Sequence, residues 1–352
     1  MSSCGIIAEY NPFHDGHAYQ LAKARELSGA DHVIVVMSGF FVQRGEPAIE
    51  PLSCRVRKAL QNGADAVFLL PVGISTSSAE QFAEGGIRIL QELGCGFVSF
   101  GIENTDPESL EKIAAAGTDE ARLRYLLRNG VSYPAAISEI SGTEQLLPNN
   151  ILAVEYLKAI RKYGFGIRPV PVPRIGHGYS DTDPAGQYPS AAALRKKMTA
   201  EGTENTVFPD DALELLRPVL SRLIYEGRDL TEFLDVSTEI AGRLKRTDLN
   251  VRTFEELVTS VKTKQYTYTR IARCLMHILL DIREVPSHRA LLLGFRRDAA
   301  EVLSEIRTPV ISKAADAADE LKQELFAEYL YHQMFFNHNG KNGGNGYGII
   351  TV

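Results

Sequence analysis

Residues 4–38 read CGIIAEYNPFHDGHAYQLAKARELSGADHVIVVMS. CGIIAEY (Cys4–Tyr10) is an apolar run of strand length, and HVIVVMS (His32–Ser38) is a second one rich in β-branched residues, the side chains that suit a pleated, buried surface. Between them, Gly16–Ser28 places Ala18, Leu21, Ala22 and Leu27 on one side of a helix. Strand, helix and strand in succession make a unit whose strands lie parallel, joined by a right-handed crossover. The alternation continues with helix Leu52–Gln61, strand Ala66–Leu70, helix Ala79–Leu93 closed by Gly94, and strand Phe97–Phe100. Continuous apolar strands imply a sheet covered on both faces. The fold class predicted is therefore α/β: a doubly wound, parallel, Rossmann-like domain whose strand C-termini line one ligand-binding edge.

The turn from the first strand into the first helix falls on that edge. It reads Asn11-Pro12-Phe13-His14-Asp15-Gly16-His17, with His-x-Gly-His at its core. Gly16 permits a tight turn and close approach of a ligand. Backbone N–H groups opening the helix favour a phosphate. Two imidazoles three residues apart converge on the same anion, where their N–H groups can neutralise charge developing on a phosphate and its leaving group.

Beyond this domain the pattern turns helical. Pro107–Ala116, Asp119–Asn129, Ala135–Ile140 and Ile151–Tyr163 read as helices, and Val170–Val172 as a short strand. A polar loop follows over Gly176–Gln187, then a helix over Ser190–Thr199. Ala212–Tyr225, Thr231–Lys245, Phe254–Thr263 and Tyr268–Leu280 carry long helical periods. The division expected is an α/β catalytic domain over 1–205, a helical module over 206–335 and a mobile tail over 336–352, where Asn and Gly crowd.

With 352 residues, 44% hydrophobic and 23% charged, the chain has the make-up of a globular protein of about two domains. It contains no apolar run long enough for a transmembrane helix and no secretory leader pattern, so no membrane partner is expected. Cys4, Cys54, Cys95 and Cys274 form no CxxC pair, which argues against structural zinc or a disulfide framework and suits the cytoplasm. No GxxxxGK[ST] or HExxH occurs, and no protein metal ligand is assigned. The net charge of −6 hides an uneven distribution, because residues 239–313 carry 14 Lys and Arg against 9 Asp and Glu. Within them Arg243, Lys245, Arg246, Arg252, Lys262, Lys264, Arg270 and Arg273 accompany Tyr266 and Tyr268. Such a segment is either a solvated helical face or a phosphate-binding one, and the tyrosines either stack on bases or pack inward.

A strand followed by H-x-G-H resembles the HIGH-type nucleotidyltransferase superfamily. Longer strings narrow the resemblance: GIIAEYNPFHDGH, VMSGFFVQRGEPAI (Val36–Ile49), GADAVFLLP (Gly63–Pro71), FGIEN (Phe100–Asn104), PNNILAVEYLKAI (Pro148–Ile160), TKQYTYTRIAR (Thr263–Arg273) and LLGFRRDA (Leu292–Ala299). Together they are similar to the bacterial tRNA(Met) cytidine acetate ligase family over residues 4 to about 313. The resemblance implies an enzyme that activates acetate with ATP to acetyl-adenylate and pyrophosphate. It then acetylates N4 of the wobble cytidine of elongator tRNA(Met). ATP would arrive with Mg²⁺ carried by its phosphates. The oligomeric state is left open.

Carried over by position, the resemblance puts ATP contacts on Ile7, Ala8, Glu9, Tyr10, Asn11, Pro12, Phe13, His14, Asp15, Gly16, His17, Ala18, Tyr19 and Gln20, with His14 and His17 catalytic. Further contacts fall on Gly101, Asn149 and Arg174. Taken alone, Gly101 also suits a strand-end turn, Asn149 a helix N-cap, a job Asn150 could share, and Arg174 a surface ion pair. Ser190-Ala191-Ala192-Ala193-Leu194-Arg195 matches the superfamily's second signature, with Ala192 where Thr is usual; Ser190 and Arg195 would meet the β- and γ-phosphates. RNA contacts are expected at Arg44, Lys262, Lys264, Arg270 and Arg273. Phe40 or Phe41 either stacks on an extruded base or is buried. Two other readings remain: a small-molecule adenylyltransferase or cytidylyltransferase, and a non-catalytic nucleotide- and RNA-binding protein.

Overall fold

A computed structural model describes residues 2–103, 106–115, 119–129, 131, 133–142, 148–174, 189–285, 289–341 and 346–352, with the side chains of 120, 124, 127, 128, 133, 134, 141, 148 and 149 excepted. The strands are β1 (Ser3–Ala8), β2 (His32–Ser38), β3 (Phe41–Val42), β4 (Glu46–Pro47), β5 (Ala66–Leu70), β6 (Phe97–Ile102), β7 (Arg168–Pro173), β8 (Leu292–Phe295) and β9 (Ile350–Thr351). β3 and β4 form an antiparallel hairpin, and the others build one sheet in the order β7-β6-β1-β2-β5-β8-β9. The five strands from β7 to β5 are parallel, as the alternation predicts. Every residue of β2 and β5 is buried, as a strand covered on both faces requires.

Before β6 the helices are α1 (Asp15–Ser28), α2 (Leu52–Gln61), α3 (Val72–Ser75) and α4 (Ala79–Glu92). Between β6 and β7 lie α5 (Pro107–Ala115), α6 (Glu120–Arg128), α7 (Tyr133–Ser141) and α8 (Pro148–Tyr163). Alternation along β2 sorts the core into two layers. Val33, Val35 and Met37 pack with α1 and α2, while Ile34 and Val36 pack with α4 and α8. The chain builds outward from β1 through β2 to β5, then returns to place β6 on the other side of β1. This reversal opens a crevice at the C-terminal ends of β1 and β6, the position where open α/β sheets bind ligands.

The helical region contains α9 (Ala191–Glu201), α10 (Pro209–Tyr225), α11 (Thr238–Leu244), α12 (Phe254–Val261), α13 (Tyr268–Leu279), α14 (Glu301–Glu305) and α15 (Lys322–Asn339). The buried apolar residues of α10, α11, α12, α13 and α15 continue the core layer under α1 and α2, while Val302 on α14 joins the other layer. Three expectations need correction. Thr231–Lys245 is not one helix: a 3₁₀ turn at Leu230–Glu232 gives way at Asp235, whose φ is +65°, and α11 starts afresh on the N-cap Ser237. The sheet is not wholly parallel, because β8 runs antiparallel to β5. The end of the chain is not a loose tail: α15 extends to Asn339, β9 pairs with β8, and buried Tyr347 donates its hydroxyl to Glu324 at 3.1 Å. The sheet therefore takes its last two strands from beyond residue 290. The loop expected over Gly176–Gln187 lies outside the described residues.

Candidate active site

A cavity of about 210 Å³ opens at the ends of β1, β6 and β7. The chain leaves β1 through Tyr10, whose φ of +49° is unusual for so large a side chain, and turns to His14, the N-cap of α1. There the two histidines form a reciprocal box. His14 Nδ1 accepts from the Gly16 N–H at 3.1 Å, and His17 Nδ1 accepts from the His14 N–H at 3.3 Å. Their rings stack with centroids 3.7 Å apart and planes 21° apart. The imidazoles thus replace the Ser and Glu of an ordinary capping box.

This geometry fixes the tautomer. A ring nitrogen that accepts a backbone N–H carries no proton, so in each neutral ring the proton sits on Nε2. Both rings are neutral at pH 7. Burial, with Arg174 nearby, lowers the His14 pKa to about 4; burial, His14 and Arg174 hold His17 well below its ordinary value. A Cβ on Gly16 would lie 3.0 Å from Cε1 and Nδ1 of His14 and crowd this box, and Gly16 also lines the cavity.

Of the residues expected to contact ATP, Ile7, Ala8, Glu9, Tyr10, Asn11, His14, Gly16, His17, Tyr19, Gln20, Gly101, Arg174, Ser190 and Arg195 line the cavity, and Arg44 lines it too. Pro12, Phe13, Asp15 and Ala18 are not on its wall; Phe13 supports it, its ring 4.9 Å from Tyr10 and 5.6 Å from His17. Arg195 on α9 donates to the Asn11 carbonyl at 2.6 Å. Ser190 caps the same helix, accepting from the Ala193 N–H at 3.1 Å, and Ala192 lines the wall without a hydroxyl. The Arg174 backbone N–H continues the β6–β7 ladder to Ile102 O at 3.0 Å, and its Nε is 3.8 Å from Glu103 Oε1. A Cβ on Gly101 would touch the Arg174 stem at 3.4 Å. Asn150 is committed to structure: it accepts from the Glu103 N–H at 2.9 Å and donates to the Glu103 carbonyl at 2.7 Å. The side chain of Asn149 lies outside the described residues. Arg44, Arg174 and Arg195 thus share one cavity with His14, His17 and the start of α9, a set of donors suited to a polyphosphate; the first-turn N–H groups of α1 do not add to it as the sequence suggests, because those of Gly16, His17 and Ala18 are taken by His14 itself.

Sequence reasoning missed other lining residues: Phe82, Phe100, Leu152, Tyr156, Val172, Pro173 and Pro189. They are ordinary core or turn residues in sequence, and only the topology brings them here. It also missed Arg55 on α2, which is fully buried. Arg55 donates to the carbonyls of Glu9 and Ser38 at 2.9 Å each, to that of Glu50 at 3.1 Å, and to that of Gly39. Phe40 and Phe41 are buried, Phe40 against Tyr331 and Tyr347, so neither ring is presented to a base. Of the basic residues, Lys262 and Lys264 are exposed, while Arg270 and Arg273 are half-buried. Arg270 lies over the Tyr266 ring at 5.0 Å, and the Tyr266 hydroxyl donates to Glu239 at 3.0 Å. None of these four cations lines the cavity. Of the four, Arg273 comes closest to the hairpin, because its backbone packs on Gly45, next to Arg44.

Comparisons with known proteins agree with this geometry. A family model described as HIGH Nucleotidyl Transferase matches residues 1–345. The tRNA(Met) cytidine acetate ligase of Acetivibrio thermocellus is 34% identical, covering 95% of this chain and 94% of its own. That of Caldicellulosiruptor saccharolyticus is 37% identical, covering 88% and 86%. The crystal structure of Thermotoga maritima TmcAL bound with alpha-thio ATP superposes with a TM-score of 0.80 at 25% identity, over 100% of both chains. Its apo form gives 0.83 at 24% and shows the shared fold. With a whole-chain family match and relatives this similar over nearly their full length, the chain belongs to the tRNA(Met) cytidine acetate ligase family of HIGH nucleotidyl transferases.

Proposed function

We propose that this protein is an ATP-dependent acetate ligase that forms acetyl-adenylate and transfers the acetyl group to N4 of the wobble cytidine of elongator tRNA(Met). The observation that carries the reading is the stacked His14–His17 pair on the cavity wall, whose Nδ1 atoms are held by backbone, which leaves each Nε2–H as the donor for a ligand. Acetate oxygen attacks the α-phosphorus and the bond to pyrophosphate breaks. The charge that grows on the phosphate oxygens meets these donors, Arg174 and Arg195, all prearranged before reaction. A neutral donor stabilises the developing charge without first forming a tight ion pair with the ground-state substrate. In this reading Mg²⁺ enters on the triphosphate. The exposed Lys262 and Lys264, with Arg270, Arg273 and Arg44, lead the tRNA backbone toward the cavity mouth. No described helix is long and apolar enough to cross a membrane, and the proposed site of action is the cytoplasm.

The test combines acetate-dependent ATP–pyrophosphate exchange with mass spectrometry of tRNA. Exchange that needs acetate, and one acetyl group at the wobble cytidine, are expected. Exchange indifferent to acetate would favour the small-molecule transferase, and none at all a binding protein.

A further inference from the structure

The second half of the proposed reaction raises a question that the phosphate-binding groups do not answer. When the exocyclic amine of cytidine attacks the acetyl carbonyl, a nitrogen–carbon bond forms, the carbon–oxygen bond to AMP breaks, and the electron pair leaves on the phosphate oxygen. The nitrogen must lose a proton in the process. Its lone pair is delocalised into the pyrimidine, so it is a weak nucleophile, and an acceptor on one N–H raises its reactivity. Neither histidine can serve as that acceptor: each Nδ1 is occupied by a backbone N–H and each Nε2 already carries the proton. Tyr10 and Tyr156 are held protonated by burial. The arginines have no lone pair to offer.

Among the described residues that line the cavity, Glu9 carries the only carboxylate. It is fixed at both ends. Its Oε1 accepts from the Gln43 N–H at 2.9 Å, and its backbone carbonyl accepts from buried Arg55 at 2.9 Å. It stands one residue beyond the end of β1, just before the turn that carries His14 and His17, and its bond to Gln43 ties it to the hairpin beside Arg44. A carboxylate is also the group that recognises the amino edge of cytosine, accepting from N4; uracil presents a carbonyl there and would be repelled.

We propose, on the basis of the ligase reading above, that the Glu9 carboxylate binds the N4 amino group of the target cytidine and takes its proton during acetyl transfer. The proton then passes to solvent as the modified tRNA leaves. Glu9 is in this account a catalytic and specificity-determining residue of the transfer half-reaction, distinct in role from the imidazoles that serve adenylation.

The experiment compares the two halves in one preparation. Glu9→Gln keeps an oxygen for the Gln43 N–H and removes the basic charge. It is expected to slow single-turnover acetyl transfer to tRNA at least about a hundredfold more than it slows acetate-dependent exchange. Hydroxylamine, a stronger nucleophile that needs no acceptor, should trap acetyl-adenylate in step with exchange. Exchange also reports that the variant is folded. Transfer at wild-type speed, or transfer and exchange falling by the same factor, would overturn the assignment. A wild-type enzyme lacking acetate-dependent exchange would instead remove the ligase reading on which the assignment rests.

Discussion

His14 does two jobs that can be separated. As an N-cap it accepts the Gly16 N–H, and as a donor it offers Nε2–H to the cavity. Asparagine is among the best N-caps but does not reach as far. His14→Asn should therefore unfold within about 1 kcal/mol of wild type, yet lose acetate-dependent exchange by about a hundredfold or more; a variant that exchanges normally would show that the ring only caps the helix. The same residue sets a pH dependence. An unfolded imidazole protonates near 6.5 and the folded one near 4, so between these values the unfolded chain binds the extra proton. Stability is full above about pH 6.5 and falls on acidification toward 4, by roughly 3 kcal/mol for a gap of this size. Urea midpoints measured from pH 7 to 4.5 should decline less steeply in His14→Asn than in wild type, and parallel curves would contradict the neutral buried ring.

At the scale of elements, Arg55 is the joint. Helix α2 uses one buried guanidinium to hold the end of β1, the end of β2 and the start of the hairpin. Arg55→Leu leaves their carbonyls without donors in a dry interior and should cost about 2–4 kcal/mol. A denaturant midpoint equal to wild type would mean these contacts hold nothing. No period in the sequence marks such a residue: Arg55 reads as one more charge on an amphipathic helix, because most of the carbonyls it joins belong to other elements, at Glu9, Ser38 and Gly39. The same cause separates the legible elements from the others. β2, α2 and β5 match their sequence reading end for end, since each is a complete apolar run or stripe whose local pattern and tertiary burial agree. β8 has four residues and β9 two, too few for a period, and both are strands only because an edge of the sheet awaits them. The Thr231–Lys245 reading failed where apolar spacing continued through Asp235, whose left-handed backbone reverses the chain. The His-x-Gly-His stretch was legible as the turn into the first helix, but its ring-to-backbone box was not, because spacing does not reveal which nitrogen accepts.

Across the whole molecule, the contact between the hairpin and α13 joins cavity and basic segment. Gly45 has φ +78°, and a Cβ there would lie 2.3 Å from the Arg273 nitrogen and 2.4 Å from the Ala272 carbonyl carbon, so backbone meets backbone with no room for a side chain. Arg44, one residue away, lines the cavity, and Arg273 on α13 is on the other side of this contact. Replacing Lys262, Lys264 and Arg270 together by glutamine tests whether this continuity serves a polyanion. Lys262 and Lys264 are exposed, and the Arg270 contact with Tyr266 is worth only about 0.5–1 kcal/mol, so folding should survive. If each cation meets a phosphate, the slope of log affinity for tRNA against log salt should become shallower by about 2 to 3. ATP affinity should stay unchanged, because none of the three lines the cavity. An unaltered salt slope would place the tRNA on another face and leave this patch as solvated surface. A parallel loss of ATP binding would mean that the helical region shapes the nucleotide site through the hairpin instead of receiving the RNA.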